Sequence, residues 1–255
     1  MESGLHISLS AERLFTLWGF PITNSLIMEW LVIVAILLSA YLFGLSLKLN
    51  PGRTQAGVEQ FYEYLMDMIA STLGSRQLAE RYFPLIATIF IFILTANLFE
   101  FLPIIGPITA GGVPLLHTAT SDLYTTLALA IIAFFVIEVS GVLTLGLLKY
   151  GSKFVNFKGG AMGFAVGLIE IIGNLARLIS FSFRLFGAVF AGEVLLLVIA
   201  YFIPYVASVP FMAFEAFVGL LQAAVFALLT MAFIKLSIDE PHGGERHEGD
   251  AVGAH

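Results

Sequence analysis

Between residues 160 and 203 the chain runs for some forty-four residues with no proline and few polar side chains, and shorter apolar runs occupy about 26–47, 82–105, 123–148 and 207–237. Wound as α-helix, roughly twenty apolar residues span the hydrocarbon core of a bilayer. Backbone groups in lipid find no water to bond, so each run must satisfy its own N–H and C=O groups and is helical. Composition agrees: 59% of residues are hydrophobic, 12% are charged, and the mean hydropathy is +0.95. That balance excludes a soluble fold. The chain reads as an all-α integral membrane protein, with one polytopic domain over 1–238 and an acidic tail, 239–255, expected to be disordered.

The formal charge of -6 comes largely from that tail, where Asp239, Glu240, Glu245, Glu248 and Asp250 mix with Gly and His. No basic patch marks a nucleic-acid partner. The absence of cysteine excludes disulfides and thiolate metal sites. His242, His247 and His255 read as part of a solvated tail rather than a metal site, and no cofactor is expected. The start, MESGLHISLSAERL, lacks a basic segment followed by a cleavable apolar one, so the first span is expected to insert without a signal peptide.

Lysine and arginine set the expected orientation. Lys48, Arg53, Arg76 and Arg81 lie between the first two units, and Lys149, Lys153 and Lys158 between the third and fourth, whereas 106–122 and 204–206 carry none. By the positive-inside rule the N-terminus is outside, periplasmic in a bacterial plasma membrane, and the acidic tail is cytoplasmic after five crossings. Residues 54–74 put Val58, Tyr62, Leu65, Ile69 and Leu73 on one helical stripe and Glu59, Glu63 and Asp67 on another. This is an amphipathic helix expected to lie along the interface.

The fourth unit is too long to stand upright. As one helix it would extend about 66 Å, twice the hydrocarbon thickness. It must either fold back as two spans or lie tilted beyond the usual range of about 0–40°. With no proline or turn dipeptide near its centre, and with the loop charges requiring an odd number of crossings, a single steeply tilted helix is expected, paired with the last span as a long hairpin.

A polar stripe crosses this helix. Glu170, Arg177 and Arg184 are spaced by seven residues and share a face, joined nearly in line by Asn174 and Ser180. For Glu170 and Arg177 two readings stay open: a buried ion pair that fixes packing, or a functional role. Arg184 has no carboxylate three or four residues away on its own helix, and its guanidinium stays charged. A charge at that depth is costly and points to function. Gly187, Ala188, Ala191 and Gly192 follow it, small enough for another helix to approach closely.

Glu193 lies in the outer half of the same helix, and Glu215 enters the last span from the same side, with Gln222 seven residues deeper on the Glu215 face. If the two carboxylates meet across the turn, a proton can reside between them and be passed on. Glu100 and Asp122, at the outer ends of the second and third spans, would widen this polar approach, although Asp122 beside Ser121 also reads as a helix start. Glu138, alone in the third span, has no assigned role.

RLFGAVFAGE (Arg184 to Glu193), LLQAAVFALLT (Leu220 to Thr230) and NLFEFLP (Asn97 to Pro103) resemble the subunit a family of F-type ATP synthases, and the resemblance covers almost the whole chain outside the tail. It implies that Arg184 is the family's essential arginine facing a rotating ring of c subunits. It further implies that Glu193, Glu215 and Gln222 occupy outer half-channel positions and Ser180 and Glu170 positions nearer the inner one. The implied partners are c-ring subunits, peripheral-stalk b subunits, membrane lipid and protons. The implied role is translocation of ions without catalysis by this chain itself. Two departures stand out: Ala188 where members often have Asn, and Glu215 where some have His. The rival readings are a secondary transporter binding an anionic substrate at Arg184, against which no internal repeat or broken helix pair is found, and a purely structural membrane subunit. GGAMG at Gly159 to Gly163 lacks the preceding strand and the Lys-Ser/Thr pair of a phosphate loop.

Overall fold

The computed structural model describes residues 13–17, 20–101, 109–110, 113–114, 118–154, 160–203 and 208–239. Two strands, β1 (Arg13–Leu17) and β2 (Phe20–Thr23), pair antiparallel ahead of the first helix, and a shorter pair, β3 (Thr109–Ala110) and β4 (Val113–Pro114), lies between the second and third spans. The helices are α1 (Asn24–Ser46), α2 (Arg53–Leu73), α3 (Arg76–Phe99), α4 (Leu123–Leu145), α5 (Leu147–Phe154), α6 (Gly160–Phe202) and α7 (Ser208–Ile238). Among the described residues five of them, α1, α3, α4, α6 and α7, are long and apolar enough to cross a membrane. The expected all-α membrane architecture is therefore present. The turn at 204–206, the tail beyond Asp239 with its three histidines, and Lys158 lie outside the described residues.

Local chemistry sets the boundaries. The Thr23 hydroxyl accepts from the Leu26 N–H at 3.3 Å and starts α1, and the Asp122 carboxylate accepts from the Tyr124 N–H at 3.0 Å and starts α4. Both are N-cap arrangements that satisfy an otherwise orphaned donor. Gly74 ends α2 at φ +79°, a left-handed conformation that favours glycine. Gly146 ends α4 at φ +83°, so the apolar run expected to continue to 148 instead breaks and α5 begins. Sequence hydrophobicity missed α5 because Leu147 and Leu148 extend the apolar run of α4 past the glycine that stops it. Likewise α3 begins six residues before its apolar run, since Arg76 to Arg81 are good helix formers.

α7 lies at the centre, in contact with α2, α3, α4 and α6. Ile69 of α2, Ile86 and Ile93 of α3, Ile137 of α4, Phe181 and Leu185 of α6, and Phe226 and Ile234 of α7 form one buried core. Phe181 stacks on Phe226, ring centroids 5.0 Å apart. α1 is peripheral: Met28 and Val32 pack against Ala96 and Ala119, while Leu37, Leu38 and Leu42 are exposed. α2 keeps its amphipathic face, but only the second half of the expected stripe is covered. Ile69 and Leu73 are buried, whereas Val58 and Tyr62 are exposed, the Tyr62 ring resting edge-on against Phe83 at 4.6 Å.

α6 is one unbroken helix of 43 residues, about 65 Å long at the standard rise. Gly167, Asn174, Phe181, Ser182, Leu185 and Val189 are buried along it, a stripe at spacings of about seven and four that faces α4 and α7. The opposite face is exposed and largely apolar, with Ile172, Leu175, Ile179 and Phe183.

Candidate functional site

Arg184 precedes buried Leu185, and the helical turn puts it on the exposed face of α6. Its Nη2 donates to the Ser180 hydroxyl one turn back, at 3.2 Å. Ser180 is neutral, and among the described residues no carboxylate forms an ion pair with the Arg184 guanidinium. Arg177 behaves differently. It is half-buried and lies over the Phe233 ring of α7, 4.2 Å from the centroid, a cation–π contact. The ion-pair reading of Glu170 with Arg177 is corrected by this geometry: Glu170 is exposed, and two helical turns, about 10 Å of rise, separate the two residues. Arg177, Ser180 and Arg184 share one concavity with Gly173, Phe181 and Phe233.

Toward the C-terminal end of α6, three of the expected carboxylates gather. Glu215 of α7 is buried and packs directly on Gly192, where an added Cβ would overlap its carboxyl group. Glu100 ends α3 and lines a small cleft with Asn97, Ala188 and Glu215, and Glu193 lies within electrostatic reach of both acids. Neither Glu215 oxygen has a hydrogen-bond partner among the described residues, nor has Gln222 Nε2, although both side chains are buried on one face of α7. Burying such atoms unpaired is costly. The close approach expected along the small residues occurs at Gly192, whereas a Cβ on Gly187 would meet nothing within 4 Å. The surface beside Arg184 is therefore open.

Asp122 sits in a different set of contacts. Besides capping α4 it accepts from the Ser25 hydroxyl at 2.7 Å, tying α1 to α4, and next to it Thr125 donates to Glu29 of α1. The helix-start reading of Asp122 is what the structure shows. Asn174, expected to support the arginine stripe, turns inward and donates from Nδ2 to Glu138 Oε1 at 3.1 Å.

Two groups escaped sequence reasoning. Asn97 donates from Nδ2 to the Gly219 carbonyl at 3.1 Å and accepts from the Thr120 hydroxyl at 2.6 Å, so it joins α3, α7 and the turn before α4 beside Glu215. Its place in NLFEFLP was the only available signal. Tyr150 of α5 donates to Glu138 Oε2 at 2.7 Å. Burial and then the Glu138 carboxylate push its phenol above the ordinary value, so it stays a neutral donor.

The chain's similarities fit this geometry. Residues 26–235 match the family model described as ATP synthase A chain. The chain is 31% identical over 222 residues to ATP synthase subunit a of Moorella thermoacetica, covering 87% of this chain and 94% of that protein. It is 34% identical over 206 residues to that of Campylobacter fetus, 80% of this chain and 85% of the relative. It is 32% identical over 238 residues to the sodium ion specific subunit a of Propionigenium modestum, 88% of this chain and 76% of the relative. The match runs through α1, α3, α4, α6 and α7, and on it the chain belongs to the ATP synthase subunit a family of the membrane sector.

Proposed function

We propose that this chain is the stator of a rotary F-type ATP synthase and forms two offset proton half-channels against a ring of c subunits, with Arg184 separating them. The observation that carries the reading is a permanent cation on the exposed face of a 43-residue apolar helix, with a neutral hydroxyl as its hydrogen-bond acceptor and an open surface at Gly187 beside it. A cation so placed calls for a carboxylate from another chain.

Protons reach the outer path through Glu100, Glu193, Glu215 and Gln222; the buried Glu215 oxygens and Gln222 Nε2 need water or a proton to be satisfied. Asp122 belongs to the rim of this path. A ring carboxylate takes up a proton there, becomes neutral and can face lipid. After nearly a full turn it loses the proton to the inner path, which begins at Ser180 and Glu170. Arg184 attracts the ionised carboxylate, favours proton loss beside it and blocks direct passage between the paths. Arg177, held by Phe233, supports the helix face. Each charge crossing gains about 2.3 kcal/mol per 100 mV, so a leak between the paths dissipates the drive. The chain performs no catalysis of its own; the complex does, with peripheral-stalk b subunits as further partners. Its setting is a bacterial plasma membrane, N-terminus outside and C-terminus inside.

In inverted membrane vesicles, Arg184→Ala should abolish both ATP synthesis driven by a proton gradient and ATP-driven acidification; retained coupling would remove Arg184 from this role. Acidification that persists in sodium-free buffer supports protons, and a strict sodium requirement would transfer the reading to the ion named for the Propionigenium relative.

A further inference from the structure

Glu138 is an intramembrane carboxylate outside the proposed proton paths. Glu138 lies seven residues from the end of α4 at Leu145, about 10 Å from what the proposed orientation makes the inner surface. Three elements converge on it. Tyr150 of α5 donates to one oxygen and Asn174 of α6 to the other, and both partners are buried. Gly141 makes room for the Tyr150 ring, which an added Cβ would overlap, and the turn at Gly146 brings α5 alongside α4. Among the described residues neither ion pair involves Glu138.

A helix brace needs no charge, and a carboxylate at this depth is costly. Neutral partners give Glu138 a property that a lysine or arginine partner would deny it. A phenol and an amide each contain an acceptor as well as a donor, so both can hold the carboxylate when it is ionised and when it is protonated. The location is also continuous with the site already described. Tyr150 is within electrostatic reach of Glu170 and Arg177, and Arg177 lines the concavity that holds Ser180 and Arg184.

We propose that Glu138 is a proton-carrying carboxylate of the inner exit, with Tyr150 and Asn174 as its positioning residues; the inference rests on the proposed function. A proton released by a ring carboxylate and carried by water bonds to a Glu138 oxygen as its bond to the carrier breaks. The acid then gives it to water at the inner surface, and the carboxylate is restored.

The test uses inverted vesicles containing the whole complex, with the amount of this chain in the membrane and the ATP hydrolysis rate measured beside ATP-driven acidification. Glu138→Gln keeps the shape and can still bond Tyr150 and Asn174 but cannot carry a proton; acidification should fall by roughly a hundredfold or more with the complex present at its normal level. Glu138→Asp should recover much of the rate, and Tyr150→Phe should lose less than Glu138→Gln does. Normal acidification in Glu138→Gln, an Asp variant no better than the Gln variant, or loss of the complex from the membrane in proportion to the lost rate would each overturn the proposal. Arg184→Ala measured in parallel separates the two readings. Its failure to pump beside full pumping in Glu138→Gln removes only the role of Glu138, whereas normal pumping in Arg184→Ala removes the proposed function and this inference with it.

Discussion

At the scale of single residues, neighbouring positions on α6 have opposite surroundings. Leu185 is fully buried and Arg184 exposed, because consecutive helical side chains diverge by about 100°. The guanidinium is therefore presented outward on a rigid element, with the Ser180 hydroxyl as its hydrogen-bond acceptor. On the proposed mechanism geometry matters as well as charge. Arg184→Lys keeps the charge but loses the planar fork, and its ATP-driven acidification should fall well below that of the unmodified complex. Full activity would show that a point charge suffices. Gly192 offers a second residue-scale test. A methyl group there overlaps the Glu215 carboxyl, so Gly192→Ala should displace it and slow acidification severalfold while Gly187→Ala, whose added carbon meets nothing within 4 Å, folds without strain. Equal rates in Gly192→Ala and unmodified vesicles would separate Glu215 from the outer path.

At the scale of elements, α1 has few buried apolar side chains, and its polar attachment at Asp122 carries more of the burden. The Asp122 carboxylate caps α4 and holds Ser25 at the start of α1. Asp122→Ala should cost about 1 kcal/mol for the cap alone and leave the Ser25 hydroxyl without its acceptor. Amide hydrogen exchange should then quicken at the first turns of α1 and α4 and stay unchanged in α7. Protection unaltered at α1 would show that Met28 and Val32 hold it unaided. α5 presents the reverse case, a short helix fixed by one ring. Tyr150 enters the space left by Gly141, so a side chain at 141 would drive α5 away from α4.

At the scale of the molecule, the arrangement leaves α6 covered on one side and bare on the other. An exposed apolar helix face in lipid is ordinary, but one carrying a guanidinium with no carboxylate partner among the described residues fits the proposed contact with a ring subunit. Because the chain contains no cysteine, introduced thiols report uniquely. Arg184→Cys should cross-link to a small two-helix ring subunit, and failure to do so in an assembled complex would favour the transporter or scaffold readings. Thiols at exposed Leu49, beyond the end of α1, and at Asp239, after α7, should react with an impermeant maleimide in inverted vesicles, and one at Arg13 only in right-side-out ones. Labelling of Leu49 and Asp239 from opposite sides would rule out the proposed topology.

The sequence by itself determined the number of the spanning helices, because lipid leaves an apolar run of that size no structure other than helix. It also carried the unbroken length of α6, through the absence of proline, and the isolation of Arg184, through the absence of acids at helical spacing. Hydrophobicity could not locate Gly146 as a stop within an apolar run, and residues 36 and 12 positions from Glu138 gave no sign that they were its partners. Only the tertiary structure decided which polar groups meet: Asn174 with Glu138 rather than with the arginine stripe, Arg177 with Phe233 rather than Glu170, and Glu215 with Gly192. Spacing along a helix fixes which direction a side chain points, while the neighbour it finds depends on how α4, α6 and α7 cross, and that is set by the packing of residues far apart in the chain.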